Sequence, residues 1–342
     1  MSGNGRTYNV AVIGATGAVG KVFLALLDTR PFPLKSLRLL ASPRSAGTCL
    51  RVRGETLTVE ETTPQAIQGA DFVFISATDE VSREYAPLAA RDGAVVIDDS
   101  GVWRLDPDVP LVVPEGNADD LAPGKRLIAI PNCSTTPLVM VLAAIHPINP
   151  VRRVVVSTYQ SVSGTGAAAM RELTEQSRQV LDGARDIPSS VYPHQIGFNL
   201  LPHIGSFKEE GYTSEEWKMV RETRKILHLP DLPVVATTVR VPVYLCHSES
   251  VNLELSRPMA PEEARERLRA FPGIEVIDDP ERNAYPHPVQ AADKDPVYVG
   301  RIRRDISHPA GLALWIVSDN LRKGAALNAI QIAETMIARG LV

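Results

Sequence analysis

Cysteine is scarce in this chain. Its 342 residues hold three, at Cys49, Cys133 and Cys246. The count is odd, the spacings are wide and no CxxC occurs, which excludes a disulfide framework and a thiolate zinc site, so no metal is expected. No apolar run approaches the roughly 20 residues that a membrane-spanning helix needs. The polar start, Met1 to Tyr8, holds no apolar signal-peptide core. There is no excess of basic charge: the net charge of −4 gives no reason to expect nucleic acid, although local basic sites for a small anion stay open. What is present is an ordinary globular composition. The length suggests two domains, each large enough for its own core. A soluble protein in a reducing compartment, the cytoplasm, is the expectation.

Short apolar runs alternate with helical patterns in the first third. Tyr8–Ile13, Leu37–Ala41, Phe72–Ser76, Ala94–Ile97 and Leu127–Ile130 read as buried parallel strands. Val19–Leu27 and Glu80–Arg91 read as helices between them. That is the pattern of a doubly wound α/β sheet of Rossmann type. After Cys133 the runs lengthen, and several alternate apolar with polar residues, as half-exposed antiparallel strands do. Val154–Ser161, Val234–Tyr244, Ser250–Leu255 and Leu312–Ser318 are the strand candidates. Helices are expected over Ala167–Asp182, Glu215–Leu227 and Pro261–Ala270. The second domain therefore reads as α+β with a mixed, largely antiparallel sheet. The expected division is 1–131 with about 322–342 for the first domain, the last helix returning to it, and 132–321 for the second.

Gly14, Gly17 and Gly20 fall at the first strand–helix junction with spacing G-x-x-G-x-x-G, a variant of the dinucleotide fingerprint. The chain there must turn tightly, let phosphate approach the backbone, and seat a helix on a strand. Thr16 adds a hydroxyl, and Ala18 and Val19 lie where the loop meets the helix expected from Val19. A glycine-rich turn without a ligand is the alternative. At the end of the second strand, an NAD enzyme usually carries an acid for the ribose 2′-hydroxyl. Here stand Ser42, Arg44 and Ser45. A guanidinium and two hydroxyls suit a 2′-phosphate, so NADP is expected over NAD.

Pro131-Asn132-Cys133-Ser134-Thr135-Thr136 follows a strand-like run and opens a helix-like one, Pro137–Ile145. Amide dipoles at a helix start favour thiolate, the nucleophilic form. A buried cysteine more often packs than reacts, so a base and anion clamps are needed to support that reading. Arg240 lies in a strand among valines, and His247 follows at its end. A structural ion pair for the one and a structural role for the other are the plain alternatives.

Taken together, Pro131–Thr135, Ser157–Gly164, Arg240–Val243, His247–Glu249, Glu215–Met219 and Ser318–Ala326 closely resemble aspartate-semialdehyde dehydrogenase. The glycine loop and Ala41–Gly47 add to the likeness, which spans nearly the whole chain in order. The resemblance implies NADPH-dependent reduction of L-aspartyl 4-phosphate to L-aspartate 4-semialdehyde with release of phosphate, a step toward lysine, methionine, threonine and isoleucine. It implies a Rossmann domain with a catalytic and dimerisation domain, and homodimers or homotetramers. Residue by residue, it implies Cys133 as nucleophile, His247 as acid–base and Gln160 as the group orienting the substrate. Arg240 would clamp the α-carboxylate and Glu215 meet the amino group, while Arg104, Asn132 and Lys218 would bind phosphate. Ser163 and Gly164 would lie near the nicotinamide and Asn320 on the cofactor side. One position departs: the family usually has glycine where Cys246 stands.

The residues suit that chemistry. An aldehyde donates hydride readily only after a nucleophile adds to it. A hemithioacetal on Cys133 would be oxidised to a thioester, which phosphate then attacks. Three rivals stand beside this reading. N-acetyl-γ-glutamyl-phosphate reductase shares the cysteine and the acyl-phosphate logic, but its acetylated substrate has no use for Glu215. A non-catalytic NADP-binding homologue would tolerate loss of Cys133 or His247. A cysteine hydrolase would not need the glycine loop.

Overall fold

The computed structural model describes residues 5–342; residues 1–4, half of the polar N-terminus considered above, lie outside them. The chain forms two compact units. One runs to Asn132 and resumes over Ala325–Val342, and the other is Cys133–Gly324.

The first unit is built on a parallel sheet. Its strands are β1 (Tyr8–Ile13), β2 (Leu34–Ala41), β5 (Glu60–Glu61), β6 (Phe72–Ile75), β7 (Val95–Asp98) and β8 (Leu127–Ala129), with β3 (Cys49–Val52) and β4 (Glu55–Thr58) forming a separate hairpin. The order is β5-β2-β1-β6-β7-β8. Successive side chains on a strand point to opposite faces, and both faces are used. Val10, Val12, Phe72 and Phe74 pack with Phe23 and Leu27 of α1 (Ala18–Thr29) and with Ile330 of the C-terminal helix, Leu327–Ala338. Ala11, Ile13, Val73 and Ile75 pack on the other face with Ala86 and Ala89 of α2 (Asp79–Arg91). A sheet covered on both faces needs continuous apolar strands, which is why β6 is buried at all four positions. Each fully buried large aliphatic or phenyl side chain contributes about 1.5–3 kcal/mol.

The second unit carries α3 (Thr135–Ile145), β9 (Val151–Gln160), α4 (Ala167–Leu181), α5 (Ser214–Ile226), β10 (Val234–Arg240), β11 (His247–Leu255), α6 (Pro261–Arg269), β12 (Ile274–Val276), β13 (Val297–Arg304) and β14 (Gly311–Ser318). The sheet order is β10-β9-β11-β14-β13-β12. Its three inner pairings are antiparallel and its two outer ones parallel. Helix α3 is apolar all round and packs against α5, α6 and β14, as a fully buried helix must. No helix among the described residues is long and apolar enough to cross a membrane.

Two expectations need correction. The strand expected over Val234–Tyr244 ends at Arg240, since Pro242 cannot continue a ladder. Arg240 and His247 therefore lie on different strands, β10 and β11, with β9 between them. The helix expected from Pro137 begins two residues earlier, at Thr135, because proline is tolerated in the first turn.

Candidate active site

In the first unit the glycines meet the demands of their turn. Gly14 has φ +88°, and a Cβ there would lie 2.0 Å from the Ser76 carbonyl oxygen. A Cβ at Gly20 would lie 2.3 Å from the Gly14 carbonyl oxygen. Gly17 caps α1 without any side-chain hydrogen bond, so the start of that helix keeps its affinity for an anion. Thr16, Ala18 and Val19 are partly exposed beside it. A mainly apolar cleft, lined by Val12, Val19, Gly20, Ser76 and Asp99 among others, opens at the carboxyl ends of β1, β6 and β7. Strand order reverses between β1 and β6, which is where such sheets bind dinucleotides. These residues fit that group.

Ser42 and Arg44 are exposed after β2, and Ser45 is half-buried. The fold also brings in two carboxylates that lie far along the chain. Glu60 and Glu61 pair with Leu40 and Ala41 at the end of β2. Arg104 is buried, donating to the Asp99 carbonyl oxygen at 2.8 Å with the Asp99 carboxylate 3.7 Å away. Asn132 is buried at the end of this segment.

The second unit gathers the rest. Cys133 Sγ lies 3.3 Å from His247 Nε2. The thiol precedes Ser134, the N-cap of α3, and the histidine is the first residue of β11. Gly324 makes room for the thiol, since a Cβ there would sit 2.9 Å from that of Cys133. Gln160 ends β9 and donates to Ser134 Oγ and, at 3.3 Å, to Glu215 Oε1. Lys218 Nζ donates to Glu215 Oε2 at 3.1 Å, one turn along α5.

Local structure explains how Glu215 is presented. Thr213 and Glu216 form a capping box at the start of α5. Glu216 also accepts from the Thr238 amide of β10 at 3.0 Å, fixing the helix start against the strand. Arg240, 6 % exposed, donates to the Ser161 carbonyl oxygen at 2.6 Å and lies 5.9 Å from the centre of the Tyr192 ring. Among the described residues it has no carboxylate partner. A Cβ on Gly164 would stand 3.2 Å from Arg240 Nη1 and 3.4 Å from His247 Nε2, so glycine keeps that space open.

Behind His247 lies a buried polar network. Nδ1 accepts from the Ser161 amide at 3.1 Å and lies 3.1 Å from Ser161 Oγ. Asn320 Oδ1 lies within 3.2 Å of Ser161 Oγ, Ser163 Oγ and the Cys246 amide. Asn320 Nδ2 donates to Ser163 Oγ at 3.0 Å. Burial, reinforced by Arg240 and opposed by Glu215, lowers the His247 pKa to about 3, so the resting ring is neutral. Cys246 takes φ +70°, which costs a side chain about 1–2 kcal/mol relative to glycine. Its sulfur packs with Ala291, Tyr298 and Val317, and burial pushes the thiol pKa up. Glu249, two residues beyond His247, is fully buried with neither carboxyl oxygen hydrogen-bonded among the described residues.

Linear reading selected Cys133, Gln160, Ser163, Gly164, Glu215, Lys218, Arg240, His247 and Asn320, and the second unit brings all nine into this cluster. The expectation for Asn320 stopped at the cofactor side; in the structure it holds the strand and loop behind His247. Ser134 and Ser161, adjacent to selected residues, were not singled out, and only their hydrogen bonds reveal them. The buried Lys323 was also passed over within its motif.

Known proteins share this arrangement of sequence and fold. Residues 9–123 match the model for the NAD binding domain of semialdehyde dehydrogenase, and residues 142–323 match that for its dimerisation domain. Aspartate-semialdehyde dehydrogenase of Aquifex aeolicus is 49 % identical over 338 residues, covering 98 % of this chain and 99 % of the relative. The crystal structure of aspartate semialdehyde dehydrogenase II from Vibrio cholerae complexed with ASA is similar with a TM-score of 0.93 at 42 % identity, covering 97 % of this chain and 99 % of that one. Aspartate semialdehyde dehydrogenase with NADP from Candida albicans has a TM-score of 0.77 at 26 % identity, covering 98 % and 100 %.

Proposed function

The chain belongs to the aspartate-semialdehyde dehydrogenase family, and from that premise we propose that it catalyses the NADPH-dependent, reversible conversion of L-aspartyl 4-phosphate to L-aspartate 4-semialdehyde and phosphate through a thioester on Cys133. The observation that carries the reading is the Cys133–His247 pair at 3.3 Å, beside the buried Arg240, which has no carboxylate partner among the described residues.

In the biosynthetic direction the Cys133 sulfur attacks the acyl carbon, phosphate leaves, and the acyl group stays on sulfur. NADPH, when bound, supplies the hydride that reduces this thioester. The resulting hemithioacetal collapses to the aldehyde and releases the sulfur. His247, whose Nε2 lies 3.3 Å from the sulfur, exchanges the proton with the sulfur and with the hemithioacetal oxygen formed beside it. Amides at the start of α3 stabilise the oxyanion.

The substrate carries a carboxylate, an ammonium and a phosphate. Arg240 holds the α-carboxylate in a buried position where the interaction is little screened. Glu215 and Gln160 receive the ammonium; Gln160 Oε1 is buried and has no hydrogen-bond partner among the described residues. Lys218 binds phosphate, with Arg104 and Asn132 as its other proposed ligands. Gly14, Thr16, Gly17, Ala18 and Val19 hold the dinucleotide, Ser42, Arg44 and Ser45 its 2′-phosphate, and Ser163 and Gly164 border the nicotinamide.

A homodimer is proposed through the solvent-facing side of the second sheet, where Tyr159 and Val235 stand exposed and Tyr159 packs on Trp315. The place of the reaction is the cytoplasm, and its products lead to lysine, methionine, threonine and isoleucine. Reduction of NADP⁺ with aspartate semialdehyde and phosphate, set beside the N-acetylated glutamate semialdehyde, tests the substrate. A preference for the acetylated aldehyde would give the protein to the rival reductase reading.

A further inference from the structure

His247 must change which nitrogen holds its proton, and the contacts behind the ring govern that change. In one neutral form the proton is on Nε2 and Nδ1 accepts the Ser161 amide. That ring presents N–H to the sulfur and can only donate to a thiolate. In the other form the proton is on Nδ1 and the Nε2 lone pair faces Cys133. Only this second form can take the thiol proton.

The second form needs an acceptor for Nδ1–H. A backbone amide cannot serve. Among the described residues, Ser161 Oγ at 3.1 Å is the acceptor within hydrogen-bond distance of Nδ1. Its own hydrogen then turns to Asn320 Oδ1, also at 3.1 Å. Asn320 is held in place by the Cys246 amide and by Ser163. Ser161, Ser163 and Asn320 are at most 2 % exposed, so water does not readily replace the missing contact.

We propose that Ser161 is a positioning residue for His247. Its amide favours the tautomer that steadies the thiolate, and its hydroxyl accepts Nδ1–H whenever the ring takes the proton from Cys133. In that step the S–H bond breaks, an Nε2–H bond forms, the electron pair stays on sulfur, and the Nδ1–H···Oγ bond persists in the imidazolium. The charged and titratable groups acting on the ring are Cys133 ahead of α3, Arg240 at the end of β10 and Glu215 on α5. Asp293 and Asp319 act on the neighbouring Cys246. None of these offers Nδ1 a hydrogen-bond acceptor.

This inference rests on the proposed role of the Cys133–His247 pair, so its test includes a readout that needs no aldehyde. Alkylation of Cys133 by iodoacetamide is followed against pH by peptide mass spectrometry, which separates it from the exposed Cys49. In Ser161→Ala the alkylation midpoint rises by about one to two pH units, the effect of losing a hydrogen bond to a charged group. Turnover of aspartate semialdehyde falls roughly ten- to hundredfold near neutral pH. Ser161→Thr, which keeps the hydroxyl, restores both. Ser161→Cys keeps the bulk with a weak acceptor and shifts alkylation in the same direction, which preserves the test if the alanine variant does not fold. A midpoint and turnover equal to the parent's in the alanine and cysteine variants would overturn the proposal. A parent that alkylates as expected but does not turn over the aldehyde would sink the functional reading and leave the role of Ser161 to the alkylation shift.

Discussion

Replacing Glu249 by glutamine keeps the shape of the side chain and removes one titratable proton. The carboxyl is fully buried on β11, its oxygens have no hydrogen-bond partner among the described residues, and burial raises its pKa well above the ordinary 4.5. The folded state therefore holds a proton that the unfolded chain releases above about pH 4.5. A raised carboxyl pKa makes the contribution to stability complete below 4.5 and lets it fall as pH climbs toward the folded value. The loss is about 1.4 kcal/mol per pH unit. Above pH 4.5 the parent loses stability from this group for as long as the folded carboxyl keeps its proton, and the glutamine variant loses none. Other groups titrate alike in both proteins and cancel in the difference. Urea unfolding followed by circular dichroism between pH 6 and pH 8, at one protein concentration so that association is held constant, should show the variant gaining on the parent as pH rises. A stability difference that stays flat or shrinks with rising pH would refute a neutral buried Glu249.

Two further outcomes follow from the site. Lys218→Met should raise the KM for phosphate about tenfold with a smaller change in that for the aldehyde; an unchanged phosphate KM would remove Lys218 from the phosphate set. Arg44→Ala should lower kcat/KM with NADP⁺ by about tenfold and leave that with NAD⁺ nearly unchanged. Since Glu60 and Glu61 sit beside the end of β2, equal or better efficiency of the parent with NAD⁺ would mean that these carboxylates, not Arg44, set the cofactor.

Five strands of the first sheet were legible because a strand buried on both faces is an apolar run, as β6 is throughout and β7 is up to its last residue, Asp98. Strands β12 and β13 were not. Val297–Arg304 contains a glycine and three arginines, and its register shifts between Gly300 and Arg303, which destroys a period-two signal. Gly300 is explained only by the fold: a Cβ there would meet the Ile277 carbonyl oxygen at 2.2 Å. In the site, the residue types that carry chemistry were readable from their motifs. The partners that set their state were not. Ser161 and Asn320 are 159 positions apart, and nothing in either local stretch announces the hydrogen bond. The same holds for Glu60 and Glu61, which reach the end of β2 through strand pairing across an intervening hairpin.

The central claim is an acyl group on one sulfur. The protein is incubated with aspartate semialdehyde and NADP⁺ without phosphate, quenched in acid and mapped by peptide mass spectrometry. The expected result is an aspartyl thioester on Cys133 that disappears when phosphate is added. An aspartyl group on Cys49 or Cys246, or NADPH formed with Cys133 unmodified, would contradict the account.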